Sequence, residues 1–203
     1  MKLYYSPAAC SLAVHIALRE LGIASGLVKV DLATHRTEAG DDYLAVNPRG
    51  YVPLLELEDG SRHTEVAALL QHLGERAPAS GLLPAQGAQR LEVLKWLTFV
   101  SSELHKSMSP WLWHKETADS TRKTIRDKLA LRFAELDRHL AGRSFLIGED
   151  FTVADAYAFA IVRWAPMLGI PLPPYPQLAA YLERAAARPA VHAALLAEGL
   201  VKA

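Results

Sequence analysis

Apolar residues alternate with polar ones over residues 27–32 and recur at helical spacing from Ser11 to Leu21 and along much of the chain beyond residue 88. Residues 2–5 (KLYY) predict a short strand that Ser6-Pro7 ends. Between Ser11 and Leu21, Leu12, Ile16, Ala17 and Glu20 fall at helical spacing, and Gly22 supplies a stop. Residues 27–32 (LVKVDL) alternate as a half-buried strand does. A polar stretch holding His35, Glu38 and Asp41 leads to a helical turn at Tyr43-Leu44, and Asn47-Pro48-Arg49-Gly50 marks a turn. Residues 52–57 (VPLLEL) predict a strand entered through a proline, Asp59-Gly60 a hairpin, and Arg62-His63 its return. Thr64-Glu65 opens a helix through Ala67, Leu70 and Leu73. Strand–helix–strand followed by strand–strand–helix predicts a mixed four-stranded sheet with helices packed on it.

Residues 77–87 shift to Pro, Ala, Ser and Gly. That shift predicts a linker at about 79–87 between an α/β unit at 1–78 and an all-α unit at 88–203. Val93, Leu97, Val100 and Leu104 mark a long helix that ends or kinks at Pro110. Ile125, Leu129, Phe133, Leu136 and Leu140 form a second stripe, closed by Gly142. Thr152 to Asp155 is a near capping box, launching a helix through Tyr157, Ile161, Trp164 and Leu168. Residues 171–176 form a proline-rich connector, with two short helices expected after it.

Composition narrows the function classes. The 203 residues are 51% hydrophobic, enough for a substantial core, and carry 22 basic and 22 acidic side chains. A zero balance argues against a nucleic-acid partner. No apolar run has membrane-spanning length, and the N-terminus lacks a basic flank followed by an apolar signal core. A cytoplasmic protein without a membrane partner is therefore expected. The single cysteine, Cys10, excludes an intrachain disulfide, and the eight histidines are scattered, so no metal is expected.

Cys10 follows a strand and sits at the start of a helix, where free N–H groups and the helix dipole favour a thiolate. A lone cysteine is otherwise a small buried apolar residue. Pro53 at a strand entrance is either an ordinary trans edge proline or a cis one that frees the Val52 backbone to pair with an extended peptide. Thr64-Glu65 is either a simple cap or a grip for a ligand carrying both an ammonium and a carboxylate. On the long helix, Thr98, Ser102, His105, Lys106 and Ser109 share one side, which reads either as a solvated face or as a wall facing an anionic or thiol ligand.

Five stretches in order and in register resemble the glutathione S-transferase family, specifically its bacterial beta class. They are KLYYSPAACSLAVHIALRELG, VKVDLATHRTEAGDDYLAVNPRGYVPLLELEDG, TEVAALLQHL, SSELHKSMSPW and FLIGEDFTVADAYAF. The resemblance implies a thioredoxin-like N-terminal domain and a C-terminal helical bundle. It implies glutathione as co-substrate, with Cys10 beside its sulfur and able to form a mixed disulfide, and His105 as the second catalytic residue. Ala9, Val52 with a cis Pro53, Glu65 and Val66 are implied as glutathione contacts, together with His35, Tyr51 and Lys106. Ser102 and Glu103 are implied to reach across a homodimer interface, and Thr152 and Asp155 to be structural. Three positions depart from the family pattern: Val66 where Ser is common, His35 where Lys is common, and Thr98 where Asn is common. They predict weaker glutathione binding than in a typical relative.

The implied activity is conjugation of glutathione to a small electrophile, with glutaredoxin-like thiol transfer through Cys10 beside it. Met108, Trp111, Trp113 and Trp164 are candidates for the apolar electrophile subsite, set against a role in the core. The competing account is a binding module that keeps the fold without catalysis.

Overall fold

The computed structural model describes residues 1–202. Strands β1 (Lys2–Tyr5), β2 (Gly26–Asp31), β3 (Arg36–Thr37), β4 (Leu54–Glu56) and β5 (Arg62–His63) form one sheet in the order β3-β2-β1-β4-β5. The central strand β1 runs parallel to β2 and antiparallel to β4, with Leu3 opposite both Leu27 and Leu55. Its alternation sorts side chains between two cores. Leu3 and Tyr5 enter the main core, while Tyr4 joins Val30, Tyr43, Val52 and Leu54 on the other face.

The sheet thus has five strands rather than the expected four. The addition is β3, whose two residues are too few to show a period. The strand expected at 52–57 shortens to Leu54–Glu56, because Val52 and Pro53 lie outside the ladder at a cis peptide bond.

Helix α1 (Ser11–Glu20) is buried from Ser11 through Leu18. Its flanks meet β1, helix α2 (Val66–Arg76) and two helices of the second half, α6 (Val153–Val162) and α8 (Pro189–Ala197). A stripe would suffice for a surface helix; burial on all sides follows from this sandwiching. The second half is helical: α3 (Gly87–Phe99), α4 (Lys106–Met108), α5 (Asp119–Leu140), α6 (Val153–Val162), α7 (Pro176–Ala186) and α8 (Pro189–Ala197). Between α3 and α4 the chain stays wound but widens to a π-helix over Val100–His105, and a second cis bond, Ser109–Pro110, follows α4. The helix expected to run to Leu168 ends as α6 at Val162, because Pro166 cannot donate and opens a separate 3-10 turn, Pro166–Leu168.

The connection at 77–87 is packed down rather than open. Leu82 and Leu83 are buried, the Val153 N–H donates to the Leu82 carbonyl at 2.9 Å, and Gly74 leaves room for Leu83 where a Cβ would stand 2.4 Å from it. Among the described residues no helix is long and apolar enough to cross a membrane.

Candidate active site

A cleft of about 630 Å³ opens between the ends of β1 and β4 and the helical half. Its first-half wall includes Ala9, Cys10, Tyr51, Val52, Pro53, Glu65 and Val66. Facing them are His105, Lys106, Trp113 and Trp164.

The loop before Cys10 is held from both sides. Ala8 adopts φ 61°, a conformation that disfavours a side chain. Its N–H donates to Glu198 Oε2 at 3.1 Å, and its carbonyl accepts from Trp164 Nε1 at 2.8 Å. Glu198 Oε1 also lies 2.9 Å from His15 Nδ1, and His15 Nε2 accepts from Arg19 Nε at 3.3 Å. Since Arg19 donates to Nε2, His15 offers its Nδ1 proton to Glu198. The end of the chain thereby fixes the loop that presents Cys10.

Cys10 stands at the N-cap of α1 and is 9% exposed. The expectation of a thiolate there is corrected for the free protein. Burial pushes the thiol up to about 12, outweighing the nearby Lys106 ammonium and the N–H groups at the helix start. The protonated Sγ donates to the Val52 carbonyl at 3.3 Å. The Val52–Pro53 bond is cis, the less common of the two alternatives for that proline, and the Val52 N–H meets no acceptor among the described residues.

Glu65 caps α2 with φ 70°. Such a backbone costs on the order of 1–3 kcal/mol and persists only where its surroundings hold it. Its exposed carboxylate pairs with Arg49 Nη1 at 3.5 Å. Next to it, Val66 begins the helix with its side chain in the main core.

His105 closes the opposite wall and is 8% exposed. Burial first, and the Lys106 cation second, lower it to about 4, so the ring is neutral at physiological pH. Nδ1 lies 2.7 Å from the Tyr157 hydroxyl. Trp164 meets the His105 ring edge-on at 5.2 Å and Trp113 meets Trp164 at 5.8 Å, which builds an aromatic wall beside the polar groups.

Other candidates fall elsewhere. Met108 is fully buried in the core, and Trp111 points outward, half exposed, into a separate shallow depression beside Thr117 and Thr121; neither lines the cleft. Both positions are corrections: Met108, on α4, packs into the core, and Trp111 lies past the end of that helix on the exposed side. His35 lies outside the cleft wall, with φ 52° and its ring so close to Gly50 that a Cβ there would sit 2.6 Å away. Ser102 and Thr98 are exposed and spend their hydroxyls on helix carbonyls four residues back. Glu103 bonds Arg132 at 2.7 Å and Lys128 at 3.2 Å, and the Arg132 hydrogen bond holds its carboxyl below the usual range. Thr152 and Asp155 form a complete capping box.

Sequence reasoning missed Asn47, Arg49, Ser101, Tyr157 and Met167, all of which line the cleft. Tyr157 carried a signal, since a buried tyrosine hydroxyl needs a partner, but its place in an apolar stripe assigned it to the core. Among the described residues, no group of three or more His, Cys, Asp or Glu could hold a metal ion.

Comparison with known proteins decides the family. Residues 8–76 match the glutathione S-transferase N-terminal domain and residues 94–189 the glutathione S-transferase C-terminal domain. The glutathione S-transferase GstA of Escherichia coli O157:H7 is 43% identical over 201 residues, covering 98% of this chain and 100% of the relative. This chain belongs to the glutathione S-transferase family. Two solved glutathione S-transferases are similar throughout. A sphingomonad enzyme complexed with glutathione shares 47% identity at a TM-score of 0.92, covering 99% of this chain and 100% of its own. A bacterial beta-class enzyme from Sphingomonas chungbukensis shares 43% at a TM-score of 0.93, with the same coverage. The glutathione S-transferase fold explains the architecture: a mixed sheet with helices, then a helical domain.

Proposed function

We propose that this chain is a cytoplasmic, homodimeric glutathione transferase of the bacterial beta class that conjugates glutathione to small electrophiles. One observation carries the reading. A single cleft brings together an unpaired backbone N–H at Val52, a helix start at Glu65-Val66, a buried thiol and a buried imidazole. Glutathione presents a match for each: a cysteinyl peptide unit, an amino-carboxylate end and a sulfur. The similar sphingomonad enzyme was solved with glutathione bound.

In this reading the Val52 backbone pairs with the cysteinyl unit, while Glu65 takes the γ-glutamyl ammonium. The Val66 N–H, at the positive end of α2, takes its carboxylate. Val66 brings no hydroxyl, so that carboxylate has one donor fewer. Lys106 and Arg49 supply positive charge to the rim. The sulfur sits between Cys10 and His105. A free thiol with pKa near 8.5 is a few per cent ionised at pH 7, and each unit of lowering is worth 1.36 kcal/mol. Cys10 contributes as a neutral thiol that donates to the glutathione thiolate. The thiolate's electron pair forms a C–S bond to the electrophile, whose leaving group departs with its own pair. Trp113, Trp164 and Met167 offer the apolar surface that holds the electrophile.

Thiol transfer remains a second activity of the same cleft. Cys10 attacks oxidised glutathione, releases one reduced glutathione, and is itself released by another. Because burial keeps Cys10 protonated, this exchange is slow. Mass spectrometry after incubation with oxidised glutathione detects the adduct, and its absence removes this second role.

Calorimetric titration with glutathione, paired with turnover of a generic aromatic electrophile, tests the principal reading. Binding with turnover is expected. Binding without turnover makes the chain a binding module, and absence of both removes glutathione from the site. Ser102 and Glu103 are proposed to face the partner subunit, and sedimentation of E103A against the parent protein tests that role through weakened dimerisation.

A further inference from the structure

The wall opposite Cys10 holds a buried hydrogen-bonded pair whose direction determines what His105 can do. Nδ1 of His105 is occupied by the Tyr157 hydroxyl at 2.7 Å, and Nε2 has no partner among the described residues. The nitrogen that faces a ligand is therefore Nε2, and its character depends on which partner in the pair donates. We propose that Tyr157 is a positioning residue: its phenol donates to Nδ1 of His105, fixes the imidazole as the Nε2–H tautomer, and makes His105 a neutral hydrogen-bond donor for a sulfur anion rather than a base.

Three observations carry this assignment, which rests on the transferase reading above. The imidazole lone pair is a far better acceptor than a phenol oxygen, so the short contact runs O–H to N. Burial, first among the causes, raises the Tyr157 hydroxyl above its ordinary range, so it keeps its proton. Burial and Lys106 hold His105 neutral, and a neutral imidazole that donates through Nε2 can accept nothing there. The charged or titratable groups around the pair are Lys106 beside His105, Cys10 on α1, and Glu65 at the start of α2.

The π-helical stretch Val100–His105 suits this role, since its last residue meets Tyr157 of α6 while lining the cleft. Tyr157 is reached from the cleft as well, yet its ring is otherwise buried among apolar neighbours. Removal of its hydroxyl leaves the T-shaped packing on His105 in place.

The test uses the full-length protein. In the free protein, nitrogen-15 shifts of His105 read the tautomer directly; protonation at Nε2 is expected, and protonation at Nδ1 overturns the proposal. This readout needs no glutathione, so it stands even where the transferase reading fails. Y157F is then expected to lower kcat on the order of tenfold. KM for glutathione should stay within about twofold, and the apparent pKa of bound glutathione should rise by about one unit. An unchanged kcat and pH profile in folded Y157F overturns the proposal. Should Y157F fail to fold, the nitrogen-15 shifts of His105 in the parent protein decide the proposal by themselves: protonation at Nε2 upholds it and protonation at Nδ1 overturns it.

Discussion

Two buried polar clusters lie two residues apart on α6, and they differ in what they leave unfilled. At the helix start, Asp155 Oδ2 accepts from the Thr152 N–H and hydroxyl at 2.8 and 3.0 Å, while Oδ1 accepts from the Leu146 N–H at 2.9 Å. Each oxygen is engaged, and Asp155 is not among the residues that line the cleft. Two residues on, Tyr157 engages one nitrogen of His105 and leaves the other facing a cleft, beside a thiol bonded to a single carbonyl. Both clusters perturb their titratable groups by burial, which lifts Asp155 to about 6 and lowers His105 to about 4. Burial therefore does not distinguish scaffold from site; unused hydrogen-bonding capacity that faces an open volume does.

That contrast breaks most sharply at Asp155. Its replacement by Ala strands the Leu146 and Thr152 donors in the core and is expected to cost about 3–5 kcal/mol, read as a lowered urea midpoint. Any protein that stays folded should keep its turnover. Cys10→Ala should do the converse. Conjugation is expected to fall roughly tenfold, the adduct with oxidised glutathione to vanish, and the midpoint to move by about 1 kcal/mol or less. Glu65→Gly probes a residue that serves the site at the expense of the scaffold. Release of the φ 70° backbone is expected to raise stability by about 1 kcal/mol, while glutathione affinity drops about tenfold.

The smallest effect concerns pH. His105 has an unfolded value near 6.5 and a folded one near 4, so the unfolded chain takes up its proton first as pH falls. The stability it contributes is complete above about pH 6.5 and fades towards pH 4. H105Q should flatten that part of the acid-unfolding curve, and between pH 5 and 8 the rate profile should show no inflection from this ring.

The sequence was legible wherever the controlling forces are local. The strand at residues 2–5, most of the one expected at 27–32, the stripes of Leu12-Ile16 and Leu129-Phe133-Leu136, and the capping box at Thr152 all reappear in the structure, because each reflects a backbone period or a nearby donor. What stayed hidden depends on distant partners. The helix start at Cys10 favours a thiolate, yet α1 is enclosed by segments far along the chain, and their combined burial prevails. Tyr157 read as core because nothing near it in sequence announces His105, fifty-two residues away. Neither the π-helical stretch nor the outward turn of Trp111 has a compositional mark.

The enclosure of α1 has one more consequence. A cut within residues 77–87 would strip α6 and α8 from it and wet an apolar surface that the sheet alone cannot cover. Neither fragment is then a self-sufficient folding unit, and heat or denaturant should melt the whole chain in one cooperative step.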